Sequence, residues 1–240
     1  MNAPPELLIA AIADMLAGDR HVAIGAASPI PGAAALLAQA EARAQGDRMH
    51  VTILHSETEN PFTDGSRELF DAACQGRIDT FFLGGVQIDG QANINLVGVG
   101  AYPAMKKRFS GSFGSALMYF AVPKVILFRE EHSPRTLVET VDFISAPGSS
   151  APAVWRPGGC HALVTGRCVF GFAEDRFRLD RLHPGETVET VTAQTGFAFD
   201  PGNPTETAPP NPVRQDLIRE VVAPKVAAFY PEFAARVWGI

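Results

Sequence analysis

The segment richest in side chains that could bind a polar ligand is GGVQIDGQANIN, residues 84–95. Gly84 and Gly85 lack a Cβ, which lets a ligand or another backbone approach closely. Gln87 and Asn93 each carry an amide that can donate and accept hydrogen bonds. The pattern is typical of a tight loop that holds a polar ligand or the backbone of a partner. A hairpin whose amides bond only within the protein explains it equally well.

Two histidines and two serines offer further chemistry. His55 and His132 could transfer protons, although a lone histidine more often has a structural hydrogen-bonding role. Ser112 and Ser115 lie in the glycine-rich run SGSFGS, where they could donate to a carbonyl or a phosphate. That run lacks the Lys-Ser/Thr pair of a P-loop, and IGAASPIPG does not match G-x-G-x-x-G. Neither ATP nor nicotinamide binding is therefore indicated.

Short β-like runs alternate with helical segments along most of the chain. The predicted strands are 21–27, 51–57, 79–85, 123–130, 140–146, 161–172 and 176–182, and the predicted helices are 5–17, 33–45, 66–76 and 213–229. This alternation favours a parallel sheet covered by helices. Because residues 161–182 alternate as a hairpin does, we expect an antiparallel edge. The sequence predicts an α/β fold with an open, mostly parallel sheet and helices on both faces, in a single domain spanning 1–240.

Composition excludes several classes of function. Of the 240 residues, 46% are hydrophobic and 19% charged, which is typical of a globular protein, and the formal net charge of -6 argues against nucleic-acid binding. The one basic cluster, Lys106, Lys107 and Arg108, could meet a phosphate or form a solvated turn. No apolar run approaches the roughly 18 residues of a membrane span, and the N-terminus lacks a leader pattern. Three cysteines without a CxxC pair predict a reducing, cytoplasmic location and no metal cluster.

Five segments together resemble the β-type half of family I coenzyme A transferases. They are SETEN (56–60), GGVQIDGQANIN (84–95), KKRFSGSFGSALMYFA (106–121), TLVETVDFISAPG (136–148) and HPGETVETVTAQTGF (183–197). Their co-occurrence in order, over roughly residues 20–200, is more specific than any single motif. The resemblance implies an α-type partner subunit, with the active site at the contact between the two, and an acyl-CoA ester as substrate. It implies neither a resident cofactor nor a metal.

The resemblance also assigns roles to residues. In this family a glutamate attacks the acyl-CoA thioester, giving an acyl-glutamyl anhydride and then a glutamyl-CoA thioester. The match places this nucleophile at Glu57, with Glu59 as a competitor because Glu59-Asn60 also fits the Glu-Asn of the motif. The substrate- and CoA-binding residues that it implies are Gly84, Gly85, Gln87, Asn93, Gly111, Ser112, Phe113 and Gly114.

Three departures from the family pattern leave the function open. Phe113 stands where the family has a glycine, Leu117 where it has an aspartate, and Pro61 where a glycine follows Glu-Asn. These departures have two explanations. Either the acyl pocket is reshaped for a different substrate, or the catalytic glutamate belongs to the partner subunit. The alternatives are a CoA-transferase subunit, a hydrolase or C–C lyase acting on a cyclic acyl-CoA of ring degradation, and a silent subunit that stabilises its partner or binds CoA.

Overall fold

The protein is built on one eight-stranded sheet and two small hairpins, which the computed structural model describes over residues 3–240. The strands are β1 (His21–Ile24), β2 (His50–Ile53), β3 (Thr80–Leu83), β4 (Gln87–Ile88), β5 (Ile94–Asn95), β6 (Gly98–Val99), β7 (Lys107–Arg108), β8 (Lys124–Arg129), β9 (Cys160–Thr165), β10 (Cys168–Ala173), β11 (Arg176–Leu182) and β12 (Thr205–Glu206). The helices are α1 (Pro5–Met15), α2 (Pro29–Ala44), α3 (Ser66–Cys74), α4 (Ser115–Ala121), α5 (Val188–Gln194), α6 (Pro212–Leu217), α7 (Ala223–Phe229) and α8 (Pro231–Trp238).

The large sheet has the strand order β12-β11-β10-β9-β8-β3-β1-β2. Strands β2, β1, β3, β8 and β9 run parallel to one another. Strands β9, β10 and β11 then pair antiparallel, and β12 adds a short parallel pairing to β11. The predicted mostly parallel sheet with an antiparallel edge is confirmed.

Successive residues of the parallel strands pack into two different hydrophobic cores. Val22 and Ile24 of β1 face a core shared with α1, α2, α7 and α8. Ala23 faces the opposite core, which includes Leu69 of α3 and Met118 of α4. This twofold alternation is what buries both faces of a parallel sheet. The prediction of helices on both faces is confirmed.

The order of the strands reverses beside β1. The chain passes from β1 outward to β2 and then returns to β3 on the other side of β1. Loops that leave β1 and β3 therefore diverge at the carboxyl edge of the sheet. Such a switch point is where open α/β sheets bind ligands.

Three strand predictions are corrected. The run 161–172 forms two antiparallel strands, β9 and β10, joined by a bend at 166–167. Residues 140–146 form no strand, because their backbone bonds to the β4–β5 hairpin at isolated points, with the Ser145 and Ala146 N–H groups both donating to Ile94 O. Strand β2 ends at Ile53, before the predicted 57. The chain turns there because the buried Ser56 Oγ accepts the N–H groups of Thr58 and Glu59.

The C-terminal helix predicted over 213–229 is interrupted. A π-helical turn, Ile218–Val222, separates α6 from α7. Pro224 has no N–H to donate, so the regular i→i-4 pattern cannot continue through it. A further helix, α8, begins at Pro231, whose fixed φ suits the first helical position. None of the helices described within residues 3–240 is long and apolar enough to cross a bilayer.

Candidate active-site cleft

A cleft of about 600 Å³ opens at the carboxyl ends of β1, β3 and β8, at the switch point of the sheet. Its lining includes Ser28, Gly84, Gly85, Leu96, Arg129 and Arg236. The cleft therefore combines the loop after β1, the glycine pair after β3, the charged end of β8 and the C-terminal helix. This position makes it the candidate active site.

The Gly84–Gly85 pair forms part of the cleft wall. A Cβ on Gly84 would lie 2.9 Å from the backbone oxygen of Phe128, and one on Gly85 would lie 2.6 Å from that of Gln87. Both distances are shorter than real Cβ contacts, so no larger residue fits without a backbone shift. The sequence thus located the cleft, while contact of the two glycines with a substrate stays a prediction.

The side-chain amide of Gln87 forms hydrogen bonds with other residues of this chain. Asn95 Nδ2 donates to Gln87 Oε1 at 2.7 Å, and the same oxygen accepts the Asp142 N–H at 3.0 Å. Gln87 Nε2 in turn donates to Asp142 Oδ2 at 3.2 Å. These bonds fix the segment around Asp142 to the β4–β5 hairpin.

Asp89 and Asn93 form the second half of the same network. Asp89 Oδ1 accepts the N–H groups of Gln91 and Asn93 at 3.1 and 3.0 Å, and Asp89 Oδ2 accepts Asn93 Nδ2 at 3.1 Å. Asn93 Oδ1 accepts the Gly148 N–H at 3.0 Å. The amide-rich segment is thus a buried, internally bonded hairpin. Substrate contact by Gln87 or Asn93 remains a prediction.

The two candidate nucleophiles lie in the loop that follows β2 and do not line the cleft itself. Glu57 is exposed, and within residues 3–240 its carboxylate has no hydrogen-bond or ion-pair partner. Glu59 is half-buried, and its Oε1 lies 2.8 Å from Lys225 Nζ. The Glu57 carboxylate is thus unpaired among the residues that the structure describes, whereas the Glu59 carboxylate is held in an ion pair with Lys225.

Tyr230 connects this loop to the cleft. Its ring stacks on His55, with the ring centroids 5.3 Å apart, and its hydroxyl donates to Ala26 O at 2.7 Å. Ala27 and Ser28, which follow, line the cleft. The loop carrying both glutamates is therefore the immediate neighbour of the cleft along the carboxyl edge.

The glycine-rich loop Gly111–Gly114 precedes α4 and packs on α3. Phe113 is 85% exposed and has φ +44°, a conformation that favours glycine. A glycine would adopt this φ freely, whereas the phenylalanine adopts it under strain. A Cβ on Gly114 would overlap the Phe70 ring. None of Gly111, Ser112, Phe113 and Gly114 lines the cleft, and their role in binding CoA stays a prediction.

His132 is buried between two hydroxyls. Its Nδ1 lies 2.8 Å from Thr165 Oγ1, and its Nε2 lies 2.9 Å from Thr195 Oγ1. Burial first, and the Arg167 guanidinium second, lower the pKa of His132 to about 4. The imidazole is therefore neutral at pH 7, and it links the end of β9 to the end of α5. Its role is structural hydrogen bonding and not proton transfer.

This shift predicts acid destabilisation. The unfolded chain, in which a histidine pKa is about 6.5, binds the proton between pH 6.5 and 4, whereas the folded chain does not. Stability is then lost as the pH falls through that window, by about 2 kcal/mol at pH 4.5. We expect His132→Gln to weaken the pH dependence of the free energy of unfolding, measured by denaturant titration at pH 7 and 4.5. Equal pH dependence in both proteins would contradict this role.

Sequence reasoning missed several groups near the cleft. Arg129 ends β8 and is paired at 3.2 Å with Glu131, two residues later. Arg236 projects from α8, which was not predicted. Lys225 and Tyr230 were missed as well. A signal existed for β8, because its charged end had to meet the other carboxyl ends at one sheet edge. None existed for Lys225, since its partner lies 166 residues away.

Comparisons with known proteins bear on this geometry. A family model described as coenzyme A transferase matches residues 2–194. The B-type subunit of the 3-oxoadipate CoA-transferase of Pseudomonas knackmussii is 33% identical over 162 residues, 64% of this chain and 62% of that protein. The B-type subunit of the glutaconate CoA-transferase of Acidaminococcus fermentans is 30% identical over 152 residues, 60% of this chain and 56% of that protein.

A third relative and a solved structure show the same likeness. The cholesterol ring-cleaving hydrolase IpdB subunit of Rhodococcus jostii is 30% identical over 170 residues, 66% of this chain and 65% of that protein. The match thus spans less than two thirds of each of these three relatives. The crystal structure of glutaconate coenzyme A-transferase from Acidaminococcus fermentans superposes with a TM-score of 0.79 at 23% identity, covering 94% of this chain and 96% of that one. Because the family model spans most of the sequence, this chain belongs to the coenzyme A transferase family.

Proposed function

We propose that the chain is the B-type subunit of a heteromeric acyl-CoA enzyme and that Glu57 is its nucleophile. Family membership supports the reaction class. The observation that carries the assignment is the contrast between the two glutamates: Glu57 is free and exposed beside the cleft, and Glu59 is held by Lys225. The two transferase relatives are themselves subunits, which supports a partner chain.

The proposed reaction transfers CoA between two carboxylates in two half-reactions, the second of which is the reverse of the first. A Glu57 carboxylate oxygen attacks the thioester carbonyl, the carbon–sulfur bond breaks, and CoA leaves as the thiolate. The thiolate then attacks the glutamyl carbonyl of the resulting anhydride and releases the acyl group as a carboxylate. A second carboxylate reverses the sequence on the glutamyl-CoA thioester. The first attack needs a carboxylate that is not held in an ion pair, and Glu57 has one, whereas the ion pair with Lys225 makes Glu59 the poorer nucleophile.

The test is turnover by the assembled enzyme. The chain is co-expressed with an A-type subunit of the family, and the complex is offered a panel of acyl-CoA esters with carboxylate acceptors. We expect CoA to appear on the acceptor, detected by mass spectrometry. A complex that binds CoA without turning over any ester would instead make this chain a silent subunit.

A second candidate function is hydrolysis or cleavage of an acyl-CoA without transfer. The strained, exposed Phe113 at a glycine position favours it, because the loop differs from the transferase pattern. The similarity to the subunit of a cholesterol ring-cleaving hydrolase supports it as well. The acceptor decides between the two: hydrolysis releases free CoA at the same rate with or without an acceptor carboxylate.

We propose that the partner covers the apolar surface around α4. Phe113 and Leu117 are exposed on the amino-terminal side of this helix. Val154 and Trp155 are exposed just before Arg156, which donates to Tyr119 O of α4 at 3.0 Å and so keeps them beside it. Exposed aromatic side chains of this kind are the usual anchors of protein interfaces.

Charge placed on this surface should weaken the assembly. We expect Trp155→Glu to raise the dissociation constant of the two subunits by about tenfold or more, because a central aromatic anchor is worth about 2 kcal/mol. Val213→Glu is the matched control, since Val213 is also exposed but lies on α6. Pull-down and analytical ultracentrifugation measure the effect. Equal affinity of both variants for the partner would place the interface elsewhere.

A further inference from the structure

One positively charged surface of the chain lies outside the cleft and the glutamate loop. Lys106, Lys107 and Arg108 are consecutive and exposed on and beside β7, in a chain of formal net charge -6. Within residues 3–240, no carboxylate lies within 4 Å of their charged nitrogens. Three adjacent cations without counter-charges repel one another, and an anionic ligand removes that cost.

These cations lie close to the cleft. Leu96 lines the cleft, and Gly98, two residues later, pairs with Arg108 across the β6–β7 hairpin. The Phe109 N–H also donates to Val97 O at 2.9 Å. Two extended residues span at most about 7 Å. The basic cluster is therefore at the end of a short path that starts in the cleft.

The hairpin that carries the cluster is braced rather than loose. Asn95 Nδ2 donates to Gly98 O at 2.7 Å, and the Gly100 N–H donates to Asp142 Oδ2 at 2.7 Å. The amide network of the β4–β5 hairpin thus holds the β6–β7 hairpin in place. A held backbone lowers the entropic cost of ordering the cationic side chains around a ligand.

The connection between β6 and β7 also presents an aromatic ring. Tyr102 is 58% exposed, and its ring packs against Phe143 with 5.1 Å between the centroids. Lys107 Nζ lies 5.2 Å from the centroid of the Phe109 ring, which directly follows the cluster in the sequence. An exposed aromatic ring and a cationic cluster on the same hairpin are a combination that can bind a purine base together with its phosphates.

We propose that Lys106, Lys107 and Arg108, with Tyr102, bind the adenosine 3′,5′-bisphosphate end of coenzyme A. The inference rests on the proposed function, because an acyl-CoA must bring its thioester to Glu57 at the edge of the cleft while its phosphates stay outside. The pantetheine arm then follows residues 96–98 from the cleft to the basic cluster. The three cations meet the 3′-phosphate and the pyrophosphate, and Tyr102 stacks on the adenine.

Calorimetric titration of the assembled two-chain complex with adenosine 3′,5′-bisphosphate tests the site. We expect K106E/K107E to raise the Kd by about tenfold or more, because two attractions become two repulsions. The matched control is R43E/R48E, which makes the same charge change at exposed positions of α2 and the loop before β2. It should alter the Kd by less than about twofold, since distant charges are screened. No binding by the unmodified complex, or equal weakening in both variants, overturns the proposal.

A second variant tests the aromatic contact. Tyr102→Leu is expected to raise the Kd of adenosine 3′,5′-bisphosphate by about fivefold or more. The Kd of inorganic pyrophosphate should stay unchanged, because only the nucleotide offers a base for stacking. An equal effect on both ligands, or none on either, removes Tyr102 from the site.

Kinetics separate this inference from the proposed function. K106E/K107E is expected to raise the KM for an acyl-CoA and to leave the KM for the matching acyl-pantetheine unchanged. An unaltered KM for both esters overturns the basic site while the acyl-CoA function stands. A complex that turns over neither ester defeats the proposed function, and the titration with adenosine 3′,5′-bisphosphate then decides the site by itself.

Discussion

Replacing Glu57 by Gln is expected to lower the kcat of acyl-CoA turnover by the two-chain complex by at least about a thousandfold. The neutral amide is nearly isosteric with the carboxylate but cannot form an anhydride with the acyl group. The side chain is exposed and bonded to nothing else within residues 3–240, so the folded structure should be unaffected. Steady-state rates with the Glu57→Gln complex and an unchanged Tm are the measurement.

The matched control is the same change two residues away. Glu59→Gln breaks the 2.8 Å pair with Lys225 but leaves the proposed nucleophile in place. We expect it to lower kcat by less than about tenfold, since Glu59 holds the loop and does not react. A larger loss in Glu59→Gln than in Glu57→Gln would reverse the assignment. Full activity in both variants would move the nucleophile to the partner.

Replacing Asp89 by Ala is expected to cost about 3 kcal/mol or more of the free energy of unfolding. The buried carboxylate accepts three backbone N–H groups, those of Gln91, Asn93 and Val141, and the Asn93 amide. Hydrogen bonds to a charged group are worth about 1.5–3 kcal/mol each. The donors on Asn93 and Val141 would stay buried and unsatisfied. For a chain of this size the loss lowers the Tm by about 10 °C, which calorimetry measures.

Gln91→Ala serves as the control in the same hairpin. Gln91 is exposed, and its side chain makes only a 3.4 Å contact with Asn93 Nδ2. Its removal should change the free energy of unfolding by less than about 0.5 kcal/mol. If Asp89→Ala lowered the free energy of unfolding as little as Gln91→Ala, the hydrogen bonds to Asp89 would not be what stabilises the hairpin.

The parallel core of the fold was predictable because its signals are local. Runs such as PKVILFRE have the length and β-branched content of a buried strand, and the structure has β8 there. Gly84–Gly85 follows β3, where glycine is the only residue that fits. Strand ends and glycines near them therefore located the cleft from the sequence.

What the sequence could not predict depends on partners far along the chain. Residues 140–146 alternate like a strand, yet their hydrogen bonds go to the two-residue strand β5 and to Gln87. Whether an amide binds a ligand or Asp142 depends on which segment lies beside it. The pairing of Glu59 with Lys225 likewise arises only when α7 packs on the carboxyl edge of the sheet.

The central claim is that this chain supplies the carboxylate that becomes covalently acylated. Incubating the two-chain complex with an acyl-CoA and then with hydroxylamine should convert the glutamyl-CoA thioester to a hydroxamate. Peptide mass spectrometry is predicted to locate that hydroxamate on Glu57, in the fragment that contains SETEN (56–60). A hydroxamate on the partner chain, or turnover with no modified carboxylate on either chain, would contradict the account.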